Sequence, residues 1–202
     1  MNPRIPHHCA DGPADAPPLL LGPSIGTTTA LWAAQVSALA RTHRVIRWDL
    51  PGHGGTPSTV LGDPAPGRTT VADLAGLVLA LADELGLARF AYAGVSLGGA
   101  VGAWLAVHHP ERVATLALVC SSARFGAPSG WHDRAALVRS EGTGALAGTV
   151  RDRWFTPGFA GSATADRLVD QLRTTDGTGY AACCDALAGY DLRTEQIGRA
   201  HV

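Results

Sequence analysis

Two rhythms of apolar positions alternate from Pro18 to Cys120. One is a short unbroken run, which suits a strand buried in a parallel sheet; the other repeats every three or four residues, the period of a helix with one buried face. Pro18 to Leu21 is a run of the first kind and stops at Gly22 and Pro23. Thr27 to Arg41 follows as a predicted helix, with Leu31, Gln35, Val36 and Leu39 at helical spacing and threonines able to cap its start. Arg44 to Leu50 predicts a second strand, closed by Pro51-Gly52-His53-Gly54-Gly55, which neither helix nor strand accommodates. A polar loop runs on to Thr69. Thr70 and Asp73 then form a capping-box start, Val71, Leu74, Leu77, Val78, Leu81 and Leu85 share one face, and Gly86 marks the end. Phe90 to Val95 predicts a third strand, Leu97 to His109 a helix stopped by Pro110, and Val113 to Cys120 a fourth strand. Strands alternating with helices of this length imply right-handed crossovers, so the expected fold class is α/β with a mostly parallel open sheet and helices on both faces.

Beyond Cys120 the texture changes. Ala135 to Arg139, Leu146 to Trp154 and Ala165 to Leu172 carry helical patterns, and no convincing strand appears before Arg199. Residues 1–124 therefore read as an α/β core, residues 125–199 as a helical lid, and residues 200–202 as a tail where further core would begin. Such lids sit over the carboxyl ends of strands, where open α/β sheets bind ligands.

Composition narrows the partners. Among 202 residues, 16 basic and 17 acidic side chains leave a formal charge of -1, which gives no electrostatic footprint for nucleic acid or an anionic membrane and points to a small-molecule or protein partner. Every basic residue is Arg, so a Schiff-base Lys, a Walker A Lys and a Lys general base are excluded together. Cys9, Cys120, Cys183 and Cys184 show neither metal-ligand spacing nor a disulfide framework, and Met1 to Pro18 lacks the basic and apolar regions of a signal peptide, so a cytoplasmic location is expected.

The most informative chemistry is Gly94-Val95-Ser96-Leu97-Gly98, a GxSxG between a predicted strand and a predicted helix. A serine nucleophile needs a sharp strained turn to expose its hydroxyl, and the flanking glycines leave room for strand and helix to pack beside it. An acylated serine also needs N–H donors for its oxyanion, one from the residue after the nucleophile and one from the first strand-to-helix loop. Leu97 is the first candidate. Ser24 in Gly22-Pro23-Ser24-Ile25-Gly26-Thr27 is the second, since Pro23 has no N–H to give. That loop is not GxGxxG, which argues against a dinucleotide-binding fold.

The order GPSIGT, WDLPGHG, GVSLGGA with HHPERV, then WHDR and RWFTPGF resembles the α/β-hydrolase superfamily, and within it the 3-oxoadipate enol-lactonases of aromatic-acid catabolism. The resemblance implies opening of a small carboxylate-bearing lactone through an acyl-enzyme on Ser96, with no cofactor or metal required. A Ser at the elbow argues against dienelactone hydrolases and haloalkane dehalogenases, whose nucleophiles differ. Trp131, Arg134 and Trp154 match lid positions that the enol-lactonase pattern also fills with Trp and Arg, and an Arg there suits a substrate carboxylate.

The resemblance also sets an expectation of loss. In the superfamily the triad Asp and His follow later strands, and the chain is expected to be a truncated one with no matching positions. Ser121-Ser122-Ala123-Arg124, where some relatives place the acid, contains no carboxylate. His53 belongs to the turn, where the resemblance implies a structural His, and His108 and His109 read as surface residues at a helix end. Val113 to Cys120 reads as a strand buried on both faces whose open edge would favour homo-oligomerisation, aggregation or marginal stability. The alternative function is a non-catalytic truncated remnant or binding module of the same fold, or a hydrolase of another small ester.

Overall fold

A computed structural model describes residues 5–195 of the chain. Five strands form one sheet in the order β1-β3-β2-β4-β5: β1 (His8–Asp11), β2 (Pro18–Gly22), β3 (Arg44–Trp48), β4 (Phe90–Val95) and β5 (Val113–Val119). β1 runs antiparallel to β3 and the remaining pairs are parallel, so the expected α/β class and mostly parallel sheet are present. The four predicted strands correspond to β2 to β5. β1 was not anticipated, because four residues of mixed polarity carry no period.

Three helices belong to the core: α1 (Ala33–Leu39), α2 (Val71–Glu84) and α3 (Leu97–His108). α2 begins as expected, with the Thr70 hydroxyl accepting from the Asp73 N–H and Asp73 accepting from the Thr70 N–H. The single helix expected over Thr27 to Arg41 is instead a 3-10 turn at Thr29–Trp32 followed by the seven-residue α1. Tertiary bonds explain the break: the Thr29 N–H donates to Asp49 Oδ1 at 2.7 Å and the Trp32 indole donates to the Gly22 carbonyl at 3.1 Å, pulling the first turn toward the sheet.

The sheet divides the apolar side chains as strand alternation requires. Leu20, Ile46, Trp48, Phe90 and Tyr92 face α2 and α3, whereas Leu19, Leu21 and Val45 pack with Trp32 on the other face. β5 departs from expectation in its side chains. Only Val113 of this strand is buried, and Leu118 and Val119 are 45% and 41% exposed, so the apolar run does not mark two-sided burial. The open edge is as expected: among the described residues β5 pairs with β4 alone.

The lid contains α4 (Pro128–Glu141), α5 (Ala147–Trp154), the one-turn α6 (Pro157–Ala160), α7 (Ala163–Arg173) and α8 (Gly177–Ala188). The three helical patterns fall within α4, α5 and α7, apart from Leu146, which closes the 3-10 turn before α5. α8 escaped detection because it is buried all round and has no polar face to reveal its period. Its Asp185 is nearly buried and ties the lid together, taking Arg139 Nη2 at 2.5 Å and the Gly67 N–H at 3.0 Å. The expected tail at residues 200–202 lies outside the described residues. Among those residues no helix is long and apolar enough to cross a membrane.

Candidate active site

Ser96 is where sheet becomes helix within a single residue. Its N–H continues the ladder by donating to the Val119 carbonyl at 2.9 Å, while its carbonyl accepts the first helical bond from the Ala100 N–H at 2.9 Å. Satisfying both partners at once forces φ to 53° and ψ to -114°, a conformation that costs a side-chain-bearing residue about 1–3 kcal/mol. The Ser121 hydroxyl adds a bond to the same carbonyl at 3.0 Å. Glycines make the approach possible: a Cβ on Gly94 would collide with the Gly98 carbonyl, and one on Gly98 would lie 2.5 Å from the Gly22 carbonyl carbon.

The contact between Gly98 and Gly22 brings the two candidate donors together. The Gly98 N–H donates to the Pro23 carbonyl at 3.0 Å, which holds the loop after β2 against the first turn of α3. Leu97 itself is buried, so only its amide concerns the site. Neither the Leu97 nor the Ser24 N–H donates to a backbone carbonyl among the described residues.

The loop is braced from below by His53. Its Nε2 accepts from the Gly26 N–H at 2.9 Å and its Nδ1 donates to the Pro51 carbonyl at 2.8 Å, so both ring nitrogens are occupied in the neutral form. Burial away from water lowers its pKa to about 4. This agrees with the structural role read from the sequence. Asp49 braces the other side, accepting from the Thr29 N–H at 2.7 Å, the Gly55 N–H at 3.0 Å and His7 Nδ1 at 2.7 Å.

Above the elbow lies a cavity of about 360 Å³ between the carboxyl ends of the strands and the lid. Ser24, Ser96, Trp131, Arg134 and Trp154, all singled out from the sequence, line it together. Arg134 lies with its guanidinium carbon 5.1 Å from the centre of the Trp131 ring. Arg153, Phe155 and Cys120 also line the cavity and were not anticipated. Arg153 and Phe155 flank Trp154 in the RWFTPGF segment, but the sequence reading singles out only Trp154 there. Among the described residues no imidazole lines this cavity. His108 lies 3.4 Å from Glu195, and His132 on α4 lies 3.9 Å from Asp185. No cluster of three or more His, Cys, Asp or Glu side chains suited to a metal ion occurs among the described residues.

A strained serine between a parallel strand and a helix, with free amides and a lidded cavity beside it, defines a class. The family model described as "alpha/beta hydrolase fold" matches residues 17–152, and the chain belongs to that family. It is 36% identical over 186 residues to 3-oxoadipate enol-lactonase 2 of Acinetobacter baylyi, a match covering 91% of this chain and 67% of that protein. Among solved structures, the enol-lactonase from Burkholderia xenovorans superposes with a TM-score of 0.86 at 38% identity, covering 94% of this chain and 72% of that one. A hydrolase from Pseudomonas aeruginosa superposes with a TM-score of 0.84, also at 38% identity, covering 93% and 69%.

Proposed function

We propose that the chain is a serine hydrolase of the enol-lactonase type, acting on a small lactone that carries a carboxylate, 3-oxoadipate enol-lactone in the first instance. The observation that carries this reading is Ser96 held at positive φ beside two amides without backbone acceptors, under a cavity that also contains Arg134. The Ser96 oxygen attacks the lactone carbonyl and gives up its proton. The ring C–O bond breaks, its oxygen leaves as an enol taking up a proton, and water then releases the acyl group from Ser96 as a carboxylate. The Leu97 and Ser24 amides stabilise the oxyanion that forms at each attack, and Trp131, Trp154 and Arg134 hold the ring and its carboxylate.

Among the described residues no imidazole lines the cavity, so the reading assigns the proton of Ser96 to none of them, and turnover by these residues alone is expected to be slow. Removing the base of a serine triad costs on the order of a million-fold, with residual catalysis from the oxyanion site. The rate of enol-lactone opening by the chain, compared with Ser96→Ala, tests this: a slow rate above background that the substitution removes supports the reading, and equal rates overturn it. A second reading is a binding module that holds such lactones without turning them over; a hydrolase of another small ester would show a rate on that ester instead. Among the described residues the outer edge of β5 is unpaired, with Leu118 and Val119 exposed, which supports self-association of the chain. Sedimentation is expected to show dimers or larger species, and a monomer at every concentration would remove that part of the proposal.

A further inference from the structure

One short stretch of chain grips Ser96 at both of its backbone groups. The Val119 carbonyl at the end of β5 accepts the Ser96 N–H at 2.9 Å, and two residues further on the Ser121 hydroxyl donates to the Ser96 carbonyl at 3.0 Å. Between them Cys120 has a φ of 47°, in the left-handed region that a residue with a side chain seldom occupies, so the chain is bent under strain at this point. Gly99 clears the way from the helix side, since a Cβ there would lie 2.5 Å from the Ser121 hydroxyl oxygen. The same carbonyl already has its helical partner in the Ala100 N–H at 2.9 Å, so the Ser121 bond is additional to what α3 requires.

The consequence falls on the next amide. The Ser96 carbonyl and the Leu97 N–H belong to one planar peptide unit and point in opposite directions. Two donors on the oxygen therefore fix the direction of the N–H on the far side. They also draw electron density from the amide, and bonds linked through a peptide strengthen one another by roughly 10–30% each. Because the Leu97 N–H donates to no backbone carbonyl among the described residues, the hydrogen bonds that orient this peptide are those at its carbonyl.

We propose that Ser121 is a positioning residue, whose hydroxyl acts through the Ser96 carbonyl to orient and polarise the Leu97 amide as donor to a developing oxyanion. This deepens the hydrolase reading and rests on it for the role of that amide. A hydroxyl that served only to tie the end of β5 to α3 would contribute to folding and leave the donor strength of the Leu97 N–H unchanged.

Nitrogen–proton correlation NMR reads the amide without requiring turnover. In Ser121→Ala the Leu97 nitrogen resonance is expected to move upfield, because a hydrogen bond at the preceding carbonyl deshields it, and to move further than that of Gly98, whose N–H keeps its Pro23 acceptor. Capture of Ser96 by a fluorophosphonate is expected to slow about tenfold in the same variant, short of the roughly 100- to 1000-fold that follows outright loss of an oxyanion donor. Ser121→Thr, which keeps the hydroxyl, is expected to restore both readouts, with urea unfolding showing that each variant is folded under the conditions of measurement. A Leu97 resonance unmoved in Ser121→Ala, capture at the parental rate in that variant, or a folded Ser121→Thr as slow as Ser121→Ala would overturn the role. Absence of capture in every chain, with the Leu97 shift present, would sink the hydrolase reading and leave the hold of Ser121 on the peptide standing, so the two failures are distinguishable.

Discussion

Asp49→Ala is expected to cost about 3–5 kcal/mol, a large share of the roughly 5–15 kcal/mol that holds a domain folded. The carboxylate is almost fully buried and gathers three segments: the Thr29 N–H from the turn after β2, the Gly55 N–H from the glycine loop, and His7, the residue just before β1. Bonds to a charged group are each worth about 1.5–3 kcal/mol, and deleting the acceptor strands two backbone donors away from water. Glycine at position 54 allows the carboxylate its place, since a Cβ there would lie within 2.7 Å of the Asp49 Cγ. Urea unfolding of the two proteins measures the loss, and a difference below about 1 kcal/mol would show that water replaces these contacts.

Acid is the second strong perturbation, through His53. Its pKa in the folded chain, about 4, lies below the ordinary value of 6.5 that it regains on unfolding. Between those two values the unfolded chain takes up a proton that the folded chain refuses, so the stability tied to neutral His53 is complete above pH 6.5 and is lost as pH falls toward 4. The span corresponds to about 3 kcal/mol at most, and about 2–3 kcal/mol between pH 7.5 and 4.5. The damage is local as well. A protonated Nε2 can no longer accept from the Gly26 N–H, so the loop carrying Ser24 loses its brace before the sheet does. Proton NMR of the imidazole checks both points: His53 should remain neutral at pH 5 with the proton on Nδ1, and titration near 6.5 would contradict the buried brace.

The elements that the sequence disclosed are those whose burial has a period. β4 and α2 lie within one residue of their predicted limits because a short apolar run ending at the GxSxG turn in one and a capped apolar face in the other leave a single solution. The GxSxG was legible for a similar reason, since a Gly-flanked serine between a strand and a helix has few conformations open to it. Pattern fails where long-range contacts decide. The Thr27 to Arg41 segment has a helical period along its length, yet Asp49 and Gly22, distant in sequence, claim its first turn. β5 has the composition of a strand buried on both faces, yet among the described residues only its Val113 is buried, because an apolar run records what could pack against it and not what does. The site divides in the same way. Trp131, Arg134 and Trp154 were found through a resemblance to relatives, whereas Arg153 emerges only once α4 and α5 are folded over the same cavity.

The central claim is that Ser96 is a nucleophile, and covalent capture tests it most directly. Incubation with a fluorophosphonate, followed by intact-mass and peptide mass spectrometry, is expected to give one slow, stoichiometric adduct on the peptide containing Ser96, absent from Ser96→Ala. No adduct at Ser96, or labelling that the substitution leaves unchanged, would contradict the claim and leave a binding module of the hydrolase fold.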